Sequence, residues 1–416
     1  MKFKSNFVNV IGCGFAGCEC ALSLADKGVH VHVFDDKNLR LTNYEEKGVE
    51  FLKKKEFAKD LLHEEIVFLN SKLCEIENEF LEKGIKLSPL QILEKAREKV
   101  KNHPNIQFFE MTVKELNFEE INVVATGPKT DTMLFDWLIN MFGARKCFDC
   151  FPVFPVVSQI DKSKFIERDG NLFLPLSYQE YIDLVNLIVL KLNFEILINK
   201  QKPEIGTIEY LVLKDKDGLK NAWMTPIYID NCEKPYAVLK LEKCENGYAV
   251  SGFASKLSVE GQIAILHSIK GLEKCILLQK GEASQNCYIN APYMINEFCQ
   301  SVKNENLFFA GNIAGVFGKT ESIANGLYVA NNIFSKLQGK RFVSLPDKTC
   351  LGQMMQKIIK TNNFNYSKFE PIYADYDIID LQKKLKTQTE ISNFLKFRSK
   401  MLLENYKEEL KNGKLI

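Results

Sequence analysis

Histidine is scarce, with five in 416 residues. The five, His30, His32, His63, His103 and His267, form no catalytic triad and no metal-ligand spacing; His30 and His32 read as strand positions. Cys147-Phe-Asp-Cys150 is the one Cys-x-x-Cys pattern; the lack of a second pair or a nearby histidine argues against a zinc site. Net charge is also small: 55 Lys and Arg against 53 Asp and Glu leave +2, so no global basic field marks a nucleic-acid binder. Long apolar runs are missing. The stretch Leu184 to Leu190 stops at Lys191, far too short to span a bilayer. A secretory signal is missing too, because the glycine loop and Glu19 interrupt the N-terminal apolar run and no small-residue cleavage site follows. The expectation is a cytoplasmic protein with no membrane partner, whose twelve scattered cysteines are reduced thiols. No internal repeat or low-complexity tract is present.

What is present is a chain 46% hydrophobic and long enough for two or three domains. Its clearest feature runs from Val8 to Asp35. Val8, Val10 and Ile11 predict a strand, Gly12, Gly14 and Gly17 stand at Gly-x-Gly-x-x-Gly spacing, and a helix follows through Ala21 to Ala25. Gly28 ends that helix, and His30 to Phe34 predicts a second strand ending in Asp35. This β-α-β unit suits a dinucleotide. Gly12 allows the tight turn, Gly14 lets the backbone approach a pyrophosphate, and Gly17 lets the helix pack on the strand. Phe15 and Ala16 open the helix, whose N-terminus offers N–H groups to the phosphates. Asp35 can accept from the ribose hydroxyls of an adenosine.

Helical patterning continues around Phe57 to Leu62, from Ile66 to Leu81 and from Leu90 to Val100; Lys53-Lys54-Lys55 reads as a solvated helix face. Ile106 to Glu110 predicts a strand, and Ile121 to Pro128 a buried parallel strand ending in Thr126-Gly127-Pro128, beside the adenosine and pyrophosphate. From about Cys147 strand-like pieces (Leu172–Leu174, Tyr210–Leu213, Tyr236–Leu241, Tyr248–Phe253) alternate with helices (Gln179–Leu192, Gly261–Ile269). The Rossmann pattern returns at Leu307 to Ala310, then Gly311, Asn312 and Gly315, then a helix from Glu321 and Ser322 to Leu337 whose N-terminus can face the pyrimidine end of a flavin. Two distant stretches building one site fit FAD better than NAD. The fold class expected is therefore α/β. Residues 1–145 with 300–345 would form a discontinuous Rossmann-like FAD domain, 146–299 an inserted α+β domain, and 346–416 a helical, charged tail.

Taken together these motifs resemble the folate- and FAD-dependent RNA uracil-5 methyltransferases of the TrmFO type, sisters of the MnmG/GidA flavoproteins. The resemblance runs nearly end to end. It is carried by Val8-Asn-Val-Ile-Gly-x-Gly-x-Ala-Gly17, Val124-Ala-Thr-Gly-Pro128, Lys234-Pro-Tyr-Ala-Val, Gly252-Phe, Lys270-Gly-Leu-Glu and Ile289-Asn-x-Pro. It continues through Phe308-Phe-Ala-Gly-Asn-Ile-x-Gly-Val316, Glu321-Ser-x-x-x-Gly-Leu327 and Lys348-Thr-x-Leu-Gly352. It implies an enzyme that moves a one-carbon unit from methylenetetrahydrofolate to C5 of a uridine in tRNA or rRNA, with FAD carrying and reducing it and NAD(P)H reloading the flavin.

The resemblance also implies cysteines and folate contacts that this chain lacks. Where the family has Phe-Glu-Gly-Cys-Met-Pro, this chain has Phe194 to Pro203 without cysteine, and where it has Cys-Ser-Asn-Ser, this chain has Phe51 to Glu56, again without one. His-Arg-Asn becomes Ser284-Gln285-Asn286, and Val-Glu-Gly-Tyr becomes Val316-Phe317-Gly318-Lys319. A thiolate attacking C6 has no substitute in Lys or Ile, and losing His and Arg removes the donors that orient an anionic folate. The first reading is thus a divergent paralogue that keeps its flavin, oxidises NAD(P)H and has lost or altered methyl transfer, with methylenetetrahydrofolate doubtful and no catalytic residue assigned. The second is an active 5-methyluridine methyltransferase using another nucleophile. The third is a non-catalytic RNA- or protein-binding module with structural FAD. Cys147 and Cys150 are redox or nucleophile candidates; Cys13, Cys18 and Cys20 read as small buried residues, and Cys232, Cys244 and Cys287 have no evident partners. Lys191, Lys200, Lys202, Lys214, Lys216 and Lys220 could build a phosphate-binding face, though Glu195, Glu204, Asp215 and Asp217 interleave with them.

Overall fold

The computed structural model describes residues 7–36, 56–85, 87–127, 129–142, 147–168, 170–199, 203, 207–226, 235–244, 247–360 and 388–413. It divides into two compact units, Met1–Phe148 with Cys287–Ile416, and Asp149–Asn286.

The first unit opens with β1 (Phe7–Ile11), α1 (Phe15–Ala25) and β2 (His30–Asp35). It continues with α2 (Glu56–Phe68), α3 (Lys72–Leu81), α4 (Pro89–Asn102), β3 (Ile106–Glu110), β4 (Ile121–Val124) and α5 (Thr132–Phe142). Valines and isoleucines make β1 and β4 buried on both faces, as in a sheet covered by helices. The expected helix from Ile66 to Leu81 is broken: Asn70 takes φ 63° and Ser71 accepts from the Cys74 N–H at 3.3 Å, which starts α3 afresh. The reason lies on α1. Glu19, fully buried, accepts from the Lys72 and Leu73 N–H groups at 3.0 and 2.9 Å and from the Ser23 and Ser71 hydroxyls at 3.0 and 2.8 Å, capping α3 from another element.

The second unit contributes β6 (Val156–Ser158), β7 (Ile166–Arg168), β8 (Asn171–Leu176), α6 (Tyr178–Asn199), α7 (Ile208–Lys214), α8 (Gly218–Ala222), β9 (Ala237–Cys244), β10 (Gly247–Val250), α9 (Val259–His267) and β11 (Ile276–Gln279). Its antiparallel sheet has the order β11-β6-β10-β9-β8-β7. β5 (Cys147–Val153) and β12 (Glu282–Tyr288), where the chain leaves and returns, pair as a two-stranded sheet. Tyr210 to Leu213, expected as a strand, is helical. Thr207 caps α7 by accepting from the Tyr210 N–H at 3.2 Å, and Ile208 and Val212, one turn apart, are both buried. A short apolar run fits either period, and the cap decides it.

The chain re-enters the first unit through α10 (Ala291–Met294), β13 (Leu307–Phe309), α11 (Lys319–Leu337), α12 (Cys350–Lys360) and a C-terminal helix, Gln388–Asn412. β13 pairs in parallel with β4, completing the order β13-β4-β1-β2-β3, parallel throughout. α1 and α11 cross closely: a Cβ on Gly326 would lie 2.3 Å from the Ala16 carbonyl oxygen. Glu65 on α2 repeats the device of Glu19, accepting from the Cys350 and Leu351 N–H groups at 2.8 Å each to start α12. No described helix is long and apolar enough to cross a membrane.

Candidate functional site

The carboxyl ends of the parallel strands open onto one cleft. This is where open α/β sheets hold ligands. Gly12 turns the chain off β1 with φ 103°, donates its N–H to Phe34 O at 2.7 Å, and passes so near β4 that a Cβ would stand 2.4 Å from Ala125 O. A Cβ on Gly17 would stand 1.9 Å from Gly12 O, so the absence of a side chain there lets α1 begin against the sheet. Gly14, the N-cap of α1, has no atom within 4 Å of where its Cβ would be. No side chain caps α1 and no acid sits in its first turn, so its positive end borders open space.

Gly12, Gly14, Phe15, Ala16, Asp35, Thr126, Gly127, Asn312 and Ser322 all line this cleft. The carboxylate of Asp35 is buried and accepts from the Cys13 N–H at 2.9 Å, tying the tip of β2 to the glycine loop. Gly17, Gly311, Gly315 and Glu321 are not among the residues that line the cleft. Gly311 N–H donates to Asn325 Oδ1 at 2.6 Å, and Gly315 ends a short 3₁₀ turn in the left-handed conformation, φ 86°. Glu321 is fully buried at the start of α11, near enough to Gly318 that a Cβ there would meet Oε2 at 2.1 Å.

Sequence reasoning missed several members of the site. Arg97 on α4 donates Nε–H to the Cys13 carbonyl at 2.9 Å, and Lys129 enters from the loop after β4. Thr112 donates to Asp36, Asp131 caps α5 by accepting from Met133 and Leu134 N–H, and Thr126 and Thr130 share a 2.6 Å hydroxyl contact. Asn325 also donates to Cys299 Sγ and Met355 Sδ, both at 3.3 Å. These residues come from loops and helices whose own spacing carries no dinucleotide pattern.

Several of the cysteines are buried, which disfavours their thiolate forms. Burial pushes the thiols of Cys74 and Cys299 up to about 12 and that of Cys275 up to about 11, and it raises Cys18 and Cys20 as well. Cys147 and Cys150 lie on β5 with side chains outside the described residues, as do the side chains of Ser284, Gln285, Asn286 and Cys287; Cys232, Phe51 to Lys55, Pro128, Lys200, Lys202 and Glu204 are outside altogether. His32 stacks on Phe7 at 4.0 Å, within the β-sheet. Lys220 pairs with Asp217 at 2.9 Å and lies over the Tyr236 ring, and Lys319 meets Glu77 at 3.4 Å. Among the described residues, no group of three or more His, Cys, Asp and Glu side chains is placed to hold a metal ion.

The profile of the family described as glucose inhibited division protein A matches residues 7–136 and 197–341. The chain belongs to the GidA family. Within it, the relatives are of the TrmFO type. The methylenetetrahydrofolate–tRNA-(uracil-5-)-methyltransferase TrmFO of Thermosipho melanesiensis is 30% identical over 428 residues, covering 92% of this chain and 95% of its own. TrmFO 2 of Mycoplasma mycoides subsp. mycoides is 29% identical over 439 residues, 97% of each chain, and TrmFO 1 of Mesoplasma florum 28% over 411 residues. Aquifex aeolicus GidA shares the fold, with a TM-score of 0.59 at 16% identity over 98% of this chain and 77% of that one. For this GidA-family chain the parallel sheet and its glycine cleft belong to the first unit, which holds the first matched stretch whole and the second in part.

Proposed function

We propose that this protein is an FAD-binding flavoprotein of the TrmFO type, a divergent paralogue that keeps the cofactor and oxidises NAD(P)H but has lost or altered methyl transfer. The observation that carries the flavin is the uncapped start of α1 facing open space at Gly14, with the buried Asp35 on the same cleft. In this reading the N–H groups of Phe15 and Ala16 receive the pyrophosphate, Asp35 receives the ribose hydroxyls, and Gly127 and Thr126 flank the adenosine. Gly311, Asn312 and Gly315 shape the wall towards the flavin, with Ser322 at the first turn of α11 and Glu321 holding that turn. Bound FAD supplies acceptance and donation of a hydride; the protein contributes binding, orientation and the positive end of α11. Residues 1–145 with 300–345 would serve as the FAD domain.

Loss of methyl transfer is supported by the sequence of Phe194 to Pro203 and of Phe51 to Glu56, which hold no cysteine, and by the raised thiols of Cys74, Cys275 and Cys299. A second reading, an active methyltransferase on tRNA or rRNA, is supported by relatives that align over nearly the whole chain and are named as tRNA uracil-5 methyltransferases. The test has two stages. Purified protein should carry flavin absorbance that NADPH bleaches without oxygen; colourless protein that takes up no FAD refutes the proposal. Mass spectrometry of RNA from a deletion strain should then show every 5-methyluridine retained, whereas loss of one restores the second reading.

A further inference from the structure

We propose that Arg97 and Lys129 form a two-cation clamp on the diphosphate of the bound dinucleotide, an inference that rests on the flavin reading above. Both line the cleft, and neither belongs to the glycine motif: Arg97 comes from α4, Lys129 from the loop after β4. Arg97 commits Nε–H to the Cys13 carbonyl at 2.9 Å, which fixes its fork beside the glycine loop. Its terminal amino groups make no hydrogen bond among the described residues. Lys129 is half-buried and has no hydrogen bond or ion pair among the described residues.

The acids of the cleft are engaged elsewhere: Asp131 caps α5, Asp36 accepts from Thr112, and Asp35 accepts from the Cys13 N–H. Charge then assigns the ligand group. A helix N-terminus supplies about half a positive charge, which leaves most of a doubly anionic diphosphate to be met by side chains. A guanidinium fork grips phosphate oxygens in a bidentate fashion and an ammonium acts as a point charge. The cleft presents one of each, while Asp35 is suited to the ribose.

The clamp is tested by calorimetric titration of the full-length apoprotein with ADP and with adenosine. Lys129→Gln and Arg97→Gln should each weaken ADP binding about tenfold, the size of a lost charge-assisted hydrogen bond, and leave adenosine binding unchanged. The double variant should lose about a hundredfold and show a flatter salt dependence. Arg97→Gln also gives up the contact to Cys13, so Lys129→Gln is the arm without a structural role. Equal losses for ADP and adenosine, or unaltered ADP affinity in Lys129→Gln, overturn the clamp alone when wild-type protein binds FAD. Wild-type protein that binds neither ADP nor FAD overturns the clamp together with the flavin reading.

Discussion

Two glycines of one loop should fail in opposite ways when each receives a methyl group. Gly17→Ala places a Cβ 1.9 Å from the Gly12 carbonyl oxygen and 3.0 Å from its carbon. Alanine gains about 1 kcal/mol over glycine inside a helix. The clash, however, is with backbone that cannot rotate aside, and overpacking of that kind costs about 1–3 kcal/mol. With the upper end of that range, α1 shifts off the sheet at a net loss of about 2 kcal/mol. Gly14→Ala meets no atom within 4 Å, at a φ of −85° that any residue accepts. Its fold should therefore hold to within about 1 kcal/mol, the usual difference between N-cap residues. On the placement proposed for the diphosphate, the new methyl takes up space against the first turn of α1, and losing one or more charge-assisted bonds should lower FAD affinity about tenfold to a hundredfold. Urea denaturation of the apoproteins and fluorescence titration with FAD separate the two. Wild-type FAD affinity in Gly14→Ala would refute the placement of the phosphates, and wild-type stability in Gly17→Ala would refute the packing argument.

Other outcomes can be checked on the same protein. Glu19→Gln replaces an acceptor of four hydrogen bonds by a group with one donor end and should cost about 1–3 kcal/mol at neutral pH by urea titration. Burial holds the Glu19 carboxyl above its usual 4.5 in the folded chain, so its contribution to stability is greatest below that value and declines as pH rises through the raised one; the gap between wild type and Glu19→Gln should narrow along that interval. Thr207→Ala removes the cap of α7 and should lower the stability of the second unit by about 1 kcal/mol in thermal denaturation. Cys74, Cys275 and Cys299 should resist a thiol reagent at pH 8 in folded protein and react at once in urea; fast labelling of any of them while folded would contradict their raised thiols.

The β-α-β unit was legible because strand, glycines, helix and acid obey a local code: Gly12 and Gly17 are each explained by atoms a few residues away or on the adjacent strand. The return of β13 was legible for the same reason. Glu19 was legible only as a charge in an apolar stretch; that it starts α3 depends on Ser71 to Leu73, more than fifty residues on, which no periodicity connects. Tyr210 to Leu213 was misread because four apolar residues fit two periods, and the deciding hydroxyl of Thr207 lay just outside the window. Arg97 and Lys129 escaped because a lone cation on a helix or in a loop has no motif; only the folded chain brings α4 and the loop after β4 to one cleft.

The pairing of β4 with β13 has a consequence for biosynthesis. Val124 leaves the ribosome roughly 180 residues ahead of Leu307, which at about 5–20 residues per second is on the order of ten to thirty-five seconds. For that interval the apolar strand Ile121–Val124 is an open sheet edge, a template for aggregation, while the contiguous stretch Asp149–Asn286 is synthesised within it and is complete shortly before Leu307 emerges. Nascent chains stalled before Leu307 should bind a chaperone at β4 and release it once β13 has emerged.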